Sequence, residues 1–387
     1  MHWYRTLGLK FVKNLTENVK CSVIQPPRSH SWSHGVQMNY AICLEPQKRK
    51  IYHLTDPSFE EQKKYVSRKI EHVDDYRDRV LSEFQKNGAG KMSQIVVENL
   101  LYVANNAGHL ESILDIMLYT FEQKQNDKTY DCRFVLSIYL NQCIVLKAPS
   151  SMVKKLMNNP FNQKFISQKG LKRYYEILYE NKDFQDIVDD ITRRSDKNTD
   201  DLWTFDLKRG SLQSWVVLFH VAALARIGTN ESLEKISKME YQFQQDTYNN
   251  MRVKAIYSWL AYKKGNLDLA YDMISYRRNP KGFHRFYFNL ELAFLLETEN
   301  IEEMILRLER LSSSVERVLC NKNPRLGHIM LCIDIMLKLM NLTKAKAPHR
   351  IKDVAIISER FASYGIMTCE TLESLIFEPL EYSLKDK

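Results

Sequence analysis

From Lys91 onward, apolar residues recur at every third or fourth position, the period of a helix that buries one face. Ile95, Val96, Leu100, Leu101, Val103 and Ala104 form one such stripe; His109, Leu110, Ile113, Leu114, Met117, Leu118 and Phe121 follow a second. Asn105-Asn106-Ala107-Gly108 separates them, so the spacing predicts two helices joined by a tight glycine turn. The two-stroke pattern then returns. Residues 130–146 pair with 150–157 across Ala148-Pro149, and 170–179 with 184–191 across Asn181-Lys182-Asp183. Residues 212–227 pair with 232–243 across Gly228-Thr229-Asn230, and 252–263 with 267–276 across Gly265-Asn266. The last pair joins 283–296 to 301–311 across Glu299-Asn300. The turn positions Gly108, Pro149, Lys182, Gly228, Gly265 and Glu299 lie 33 to 46 residues apart. Two helices per unit at that period predict an all-α helical-hairpin solenoid, in which each unit buries its apolar face against the next.

Ahead of the array, Asp56 is placed to cap a helix that starts at Pro57. Tyr65, Ile70, Val73, Tyr76, Val80, Leu81 and Phe84 keep one stripe, which predicts a single charged helix to about Gln85, broken at Asn87-Gly88-Ala89-Gly90. The polar stretch 192–210 reads as a loop inside the array. The expected organisation is a basic arm over 1–47, a charged helical segment over 48–90, about six hairpins over 91–315 and a helical cap over 316–387.

Composition agrees with helices on short links. Only 12 glycines and 10 prolines occur in 387 residues, and 44% hydrophobic content is ample for a core. The seven cysteines are widely spaced with no CxxC pair, so they read as buried thiols rather than a zinc or redox motif. The longest apolar run, Trp215 to Ala225, contains His220 and falls short of the ~20 residues of a membrane span.

The net charge of +9 changes the picture because it is uneven. Residues 1–50 hold eight Lys and Arg against two acids, with interspersed serines and an early run (Trp3, Leu7, Leu9, Phe11 between Arg5, Lys10 and Lys13) able to form a basic amphipathic helix. An acid-poor, basic, Ser-bearing leader is what a mitochondrial transit peptide looks like. The other reading is a basic arm that works in place.

Three units carry more than spacing. Val97-Glu98-Asn99-Leu100-Leu101 followed by Asn106-Ala107-Gly108-His109-Leu110-Glu111-Ser112-Ile113-Leu114 is similar to the pentatricopeptide repeat consensus. So is Lys264-Gly265-Asn266-Leu267-Asp268-Leu269-Ala270-Tyr271-Asp272-Met273, and, less closely, Asn300-Ile301-Glu302-Glu303-Met304-Ile305. The junction Lys48-Arg49-Lys50-Ile51-Tyr52-His53-Leu54-Thr55-Asp56 and the ending Tyr364-Gly365-Ile366-Met367-Thr368-Cys369-Glu370 also resemble divergent animal mitochondrial members of that family. The resemblance spans residues 48–380, and small-subunit mitoribosomal repeat proteins are the neighbouring family. It implies a right-handed solenoid of pentatricopeptide/TPR-like repeats in the mitochondrial matrix. There it would bind single-stranded mitochondrial RNA, act in RNA maturation and so support the respiratory chain, with RNA-processing proteins or the mitoribosome as further partners. The alternative is a protein-binding helical scaffold associated with the mitochondrial ribosome. In the family, two or three side chains per repeat read one base. Here those places hold Glu98 or Asn99 in one unit and Ala255 or Ile256 in another, so the base code is not legible; Asn99 is carried as a candidate contact.

Basic residues beside aromatics supply the residue-level signal for RNA, since cations neutralise phosphates and rings stack on unpaired bases. Three runs qualify: Lys172-Arg173-Tyr174-Tyr175, Tyr262-Lys263-Lys264, and Tyr276-Arg277-Arg278-Asn279-Pro280-Lys281-Gly282-Phe283-His284-Arg285. The plain alternative packs the tyrosines between helices and leaves the cations in solvent. It is favoured for Lys172 and Arg173, while both readings stand for Arg277, Arg278, Lys281 and Arg285.

No catalytic pattern emerges, and the chain is read as a non-enzyme without cofactor or metal. Gly88-Ala89-Gly90-Lys91-Met92 fails as a phosphate loop, because Gln85 replaces the first glycine and Met92 the Ser/Thr. His220 reads as a core histidine, and Asp74-Asp75, Asp189-Asp190 and Asp200-Asp201 as solvated acids.

Overall fold

The computed structural model describes residues 57–70, 72–87, 92–124, 130–159, 162, 165–195, 214–239, 248–275, 285–320 and 330–377. Among them the chain is all-α, with seventeen α-helices and two two-residue strands. The first helices are α1 (Pro57–Lys69), α2 (Val73–Asn87), α3 (Gln94–Val103), α4 (Ala107–Lys124), α5 (Cys132–Val145) and α6 (Ser150–Met157). Next come α7 (Gln168–Glu180), α8 (Phe184–Ser195), α9 (Ser214–Ile227), α10 (Asn230–Lys238), α11 (Tyr248–Lys263) and α12 (Leu267–Ser275). The chain continues with α13 (Arg285–Glu297), α14 (Ile301–Cys320), β1 (Leu331–Cys332), α15 (Ile333–Lys346), α16 (Ile351–Ser363), β2 (Met367–Thr368) and α17 (Leu372–Phe377).

The links between paired helices are built alike. At Lys147, Lys182, Gly265 and Glu299 the backbone enters the left-handed region, with φ of 49°, 63°, 74° and 54°. The next amide then reaches back across the helix end. Ala148 N donates to Cys143 O at 2.8 Å, Asp183 N to Leu178 O at 2.9 Å, Asn266 N to Ala261 O at 3.0 Å and Asn300 N to Leu295 O at 3.0 Å. This is the Schellman closure, which satisfies helix-end carbonyls that would otherwise be orphaned. Three of the second helices start on a side-chain cap: Asn106 Oδ1 accepts from His109 N, Thr229 Oγ1 from Ser232 N, and Asn266 Oδ1 from Leu269 N, at 2.9 to 3.1 Å. Each such cap stabilises its helix by about 1 kcal/mol.

Packing divides the described residues into two compact units. One holds α1 to α12 with Ile376 and Phe377; the other holds α13 to α16, both strands and Leu372–Leu375. In the first, α3 packs on α1 and α5, α5 on α7, α7 on α9 and α9 on α11, while α4, α8, α10 and α12 each lie against the preceding helix and α6 lies against α4 and α7. Three bonds bring the C-terminal ends of the odd helices together. Gln142 Nε2 donates to Leu101 O at 2.5 Å, Asn181 Nδ2 to Ala148 O at 3.2 Å, and Arg226 Nε to Tyr179 Oη at 3.3 Å. Helix α9 is buried nearly throughout from Val216 to Leu224, as a helix enclosed by neighbours must be. By contrast α8 buries Ile187, Val188 and Ile191 and turns Gln185, Asp186 and Asp189 to water.

In the second unit α13 packs on α14 and α15, and α16 covers both. Asn289 of α13 ties the parallel strand pair down: its Nδ2 donates to Met330 O at 2.6 Å, and its Oδ1 accepts from Cys332 N at 2.8 Å.

Several expectations are corrected. The expected single N-terminal helix is two, α1 and α2, parted at residues 70–72. The first hairpin turns at Asn105–Asn106 rather than at Gly108, which lies in the first turn of α4, because Asn106 supplies the cap. The α5–α6 turn centres on Lys147 rather than Pro149. Helix α14 runs well past Leu311 to Cys320, and the short strands were not anticipated.

Candidate nucleic-acid interface

The three basic–aromatic runs meet different fates. At the C-terminal end of α11, Trp259, Tyr262 and Lys263 occupy i, i+3 and i+4, so one helix face carries all three. The two half-buried rings sit 5.4 Å apart at 36°. The Lys263 ammonium lies 4.5 Å from the Trp259 ring centre and 6.0 Å from that of Tyr262, a cation–π arrangement. Lys263 and Lys264 are both exposed. The site therefore offers aromatic surface with two cations beside it. Trp259 was missed in the sequence because, by spacing alone, it reads as part of the apolar stripe; its signal was the i+4 lysine.

The run at 172–175 is a correction. Arg173 is 6% exposed, and its guanidinium Nη1 donates to Glu176 Oε2 at 2.6 Å within α7, so it is a structural ion pair rather than a surface cation. Tyr174 and Tyr175 are buried. Tyr175 Oη donates to Asp190 Oδ2 at 2.9 Å, and Asp190 also accepts from Arg194 Nε at 2.9 Å and from Arg193. Arg194 is only 1% exposed, so α7 and α8 share a buried Tyr–Asp–Arg network. Burial raises the Tyr175 phenol well above its usual range, which keeps it neutral as a donor. Lys172 is half-buried.

Asn99 is half-buried on α3 and hydrogen-bonded to the Tyr76 hydroxyl of α2, so its amide is engaged inside the protein. Arg277, Arg278 and Lys281 lie outside the described residues; Arg285 opens α13, and its side chain lies outside them too. Of the candidates whose side chains are described, Lys172 and Arg173 lie on α7 and Asn99 on α3, apart in sequence from the α11 cluster.

Two further apolar groups stand in solvent. Ile95 (67% exposed) and Phe134 (47% exposed) occupy the first turns of α3 and α5. Those turns are neighbours, since Asp131 N donates to Gln94 Oε1 at 2.6 Å. Exposed Arg133 adjoins them in sequence.

Among the described residues no three His, Cys, Asp or Glu side chains are grouped to hold a metal, and no helix is long and apolar enough to cross a membrane. Asp189 accepts from Gln185 at 2.7 Å and Asp74 pairs with Arg77 at 2.8 Å. Gly88–Lys91 and Asp200–Asp201 lie outside the described residues. His220 is buried in α9, where desolvation holds its pKa down at about 4, so it is a neutral core residue near pH 7. Compared with protein-family models, curated proteins and solved structures, the chain matches none.

Proposed function

We propose that this chain is a non-catalytic, single-stranded RNA-binding protein of mitochondria, built as a right-handed solenoid of pentatricopeptide/TPR-like hairpins. The observation that carries the reading is the α11 cluster, where Trp259 and Tyr262 present stackable ring surface next to Lys263 and Lys264. Stacking is indifferent to base identity and the lysines address phosphates, so the arrangement suits unpaired RNA without a base code. The side-by-side ends of α3, α5, α7 and α9 and their repeated turn chemistry support the solenoid. The acid-poor, basic segment 1–50 supports delivery to the matrix. The mechanism is passive: the protein holds an RNA segment and guards it or presents it to processing enzymes, which in turn serves the respiratory chain.

Fluorescence anisotropy of the full chain with a labelled, unstructured RNA oligonucleotide tests this. Binding that weakens steeply with salt and falls on Trp259→Ala is expected. No binding at low salt, or binding indifferent to both, sinks the proposal. Fusing residues 1–50 to a reporter tests import separately.

A second reading, a protein-binding scaffold associated with the mitochondrial ribosome, is favoured by the exposed Ile95 and Phe134. Sedimentation of the endogenous protein with and without ribonuclease separates the two.

A further inference from the structure

Left-handed backbone is costly for any residue with a Cβ, and glycine is the usual occupant at a helix end. Gly228, Gly265 and Gly365 fill this role here. Lys147, Lys182 and Glu299 do not fit the pattern. Glu299 has a visible reason to be kept, because its carboxylate pairs with Lys346 inside the same unit. Lys147 and Lys182 have no such carboxylate partner among the described residues. Both are exposed. Backbone strain retained without an internal partner points to a partner outside.

The two lysines also lie on adjacent turns. Asn181 of the α7–α8 turn donates to Ala148 O of the α5–α6 turn at 3.2 Å. Neighbouring helices pack at roughly 8–10 Å, which sets the pitch between the two cations. Two of the nearby acids share one cation: Lys154 bridges Asp183 at 2.8 Å and Asp186 at 2.6 Å, and the Asp183 carboxyl is held below its usual range by hydrogen bonds from Lys154 and Ser150. Around the lysines, Ala148 is buried and the Asn181 amide is spent on Ala148 O and Ile177 O. Among the described residues the edge therefore offers charge without a large exposed hydrophobic side chain.

We propose that the α5–α6 and α7–α8 turns form a phosphate-contacting edge, on which Lys147 and Lys182 neutralise the backbone of single-stranded nucleic acid. A protein partner would call for an apolar core at its interface, which this edge lacks, whereas a flexible polyanion needs only spaced cations. The inference rests on the RNA-binding reading and adds a surface to it that is separate from the α11 cluster.

The test is the double variant Lys147→Gly, Lys182→Gly in the full chain. Glycine suits the left-handed region, so the variant folds and its Tm rises by about 2–4 °C for each turn relieved. Anisotropy with a labelled, unstructured oligouridylate RNA is measured across a salt series. The slope of log affinity against log salt should become shallower by about 1.4, which amounts to about 25-fold over one decade of salt. A raised Tm with an unchanged slope would overturn the proposal: the lysines would then be strain without function, and the RNA reading would survive through Trp259. Failure of the wild-type chain to bind the RNA at all overturns both. If the double variant loses affinity for polyglutamate while its RNA binding is intact, the edge belongs to an acidic protein and the nucleic-acid assignment fails.

Discussion

Two stretches of this chain read alike as sequence and differ completely in space. Lys172-Arg173-Tyr174-Tyr175 and Tyr262-Lys263-Lys264 both set cations beside tyrosines on the first helix of a pair. In α7 the rings and Arg173 point into the protein, where Arg173 meets Glu176 and Tyr175 meets Asp190. In α11 both cations stand in water, and Lys263 lies over half-covered rings. The difference is one of neighbours. Helix α7 is enclosed by α5, α6, α8 and α9, so most of its faces are interior. At the end of α11, by the turn into α12, residues 263–266 are all exposed. A basic–aromatic run can therefore serve as an interface only where the helix has a free side.

The largest effect belongs to the buried member. Arg173→Ala leaves the Glu176 carboxylate buried without its guanidinium, which costs about 3–5 kcal/mol. Thermal unfolding should show a Tm lower by roughly 6–20 °C, while RNA affinity per folded molecule stays unchanged. Weaker RNA binding at unaltered Tm would break the comparison, since Arg173 would then have to be a surface contact.

His220 sharpens it next, as another polar residue on an enclosed helix. Its folded pKa is about 4 against an ordinary 6.5, so the unfolded chain takes up the proton first as pH falls. Its contribution is complete above pH 6.5 and is lost progressively down to pH 4, about 3 kcal/mol in all. His220→Leu should flatten the fall in Tm between pH 7 and pH 4. An acid sensitivity equal to that of the wild type would mean that the α9 face is not closed around the imidazole.

The helices were legible because apolar residues recur at helical spacing with few glycines or prolines between them, one-sidedly in α8, where Ile187, Val188 and Ile191 are buried, and on every face in α9. Turns were legible at Gly228 and Gly265, where the residue itself announces left-handed backbone. They were blurred at Lys147, where nothing in the residue type signals φ of 49° and the nearby proline is the stronger turn signal. Gly108 misled in the opposite sense: a glycine inside a helix start, beside an asparagine cap that sets the true boundary. The β1–β2 pair was invisible because two residues per strand carry no alternation, and it depends on Asn289, more than forty residues away from β1 and so outside any local pattern. For the candidate site, composition found the cations, but burial decides which of them face water. Burial is a property of neighbouring helices, so Arg173 and Lys263 could not be told apart from their own segments.

On the exposed side, Trp259→Ala removes one stacking surface and should cost about 1–3 kcal/mol of RNA affinity, with only a small loss of stability from a half-buried ring. The smallest effect is the most specific. Lys264 touches no ring, and its backbone amide donates to Leu260 O at 3.0 Å whatever its side chain is. Lys264→Gln should therefore leave Tm within error and reduce the salt slope by about 0.7, the value for one phosphate on a single strand. Lys263→Gln, made beside it, removes a charge and a cation–π contact together, so it should lose the same slope and additional salt-independent affinity. Equal behaviour of the two variants would mean that the Trp259 ring takes no part in binding, and the α11 cluster would shrink to a pair of solvated charges no different in kind from any other lysine on the surface.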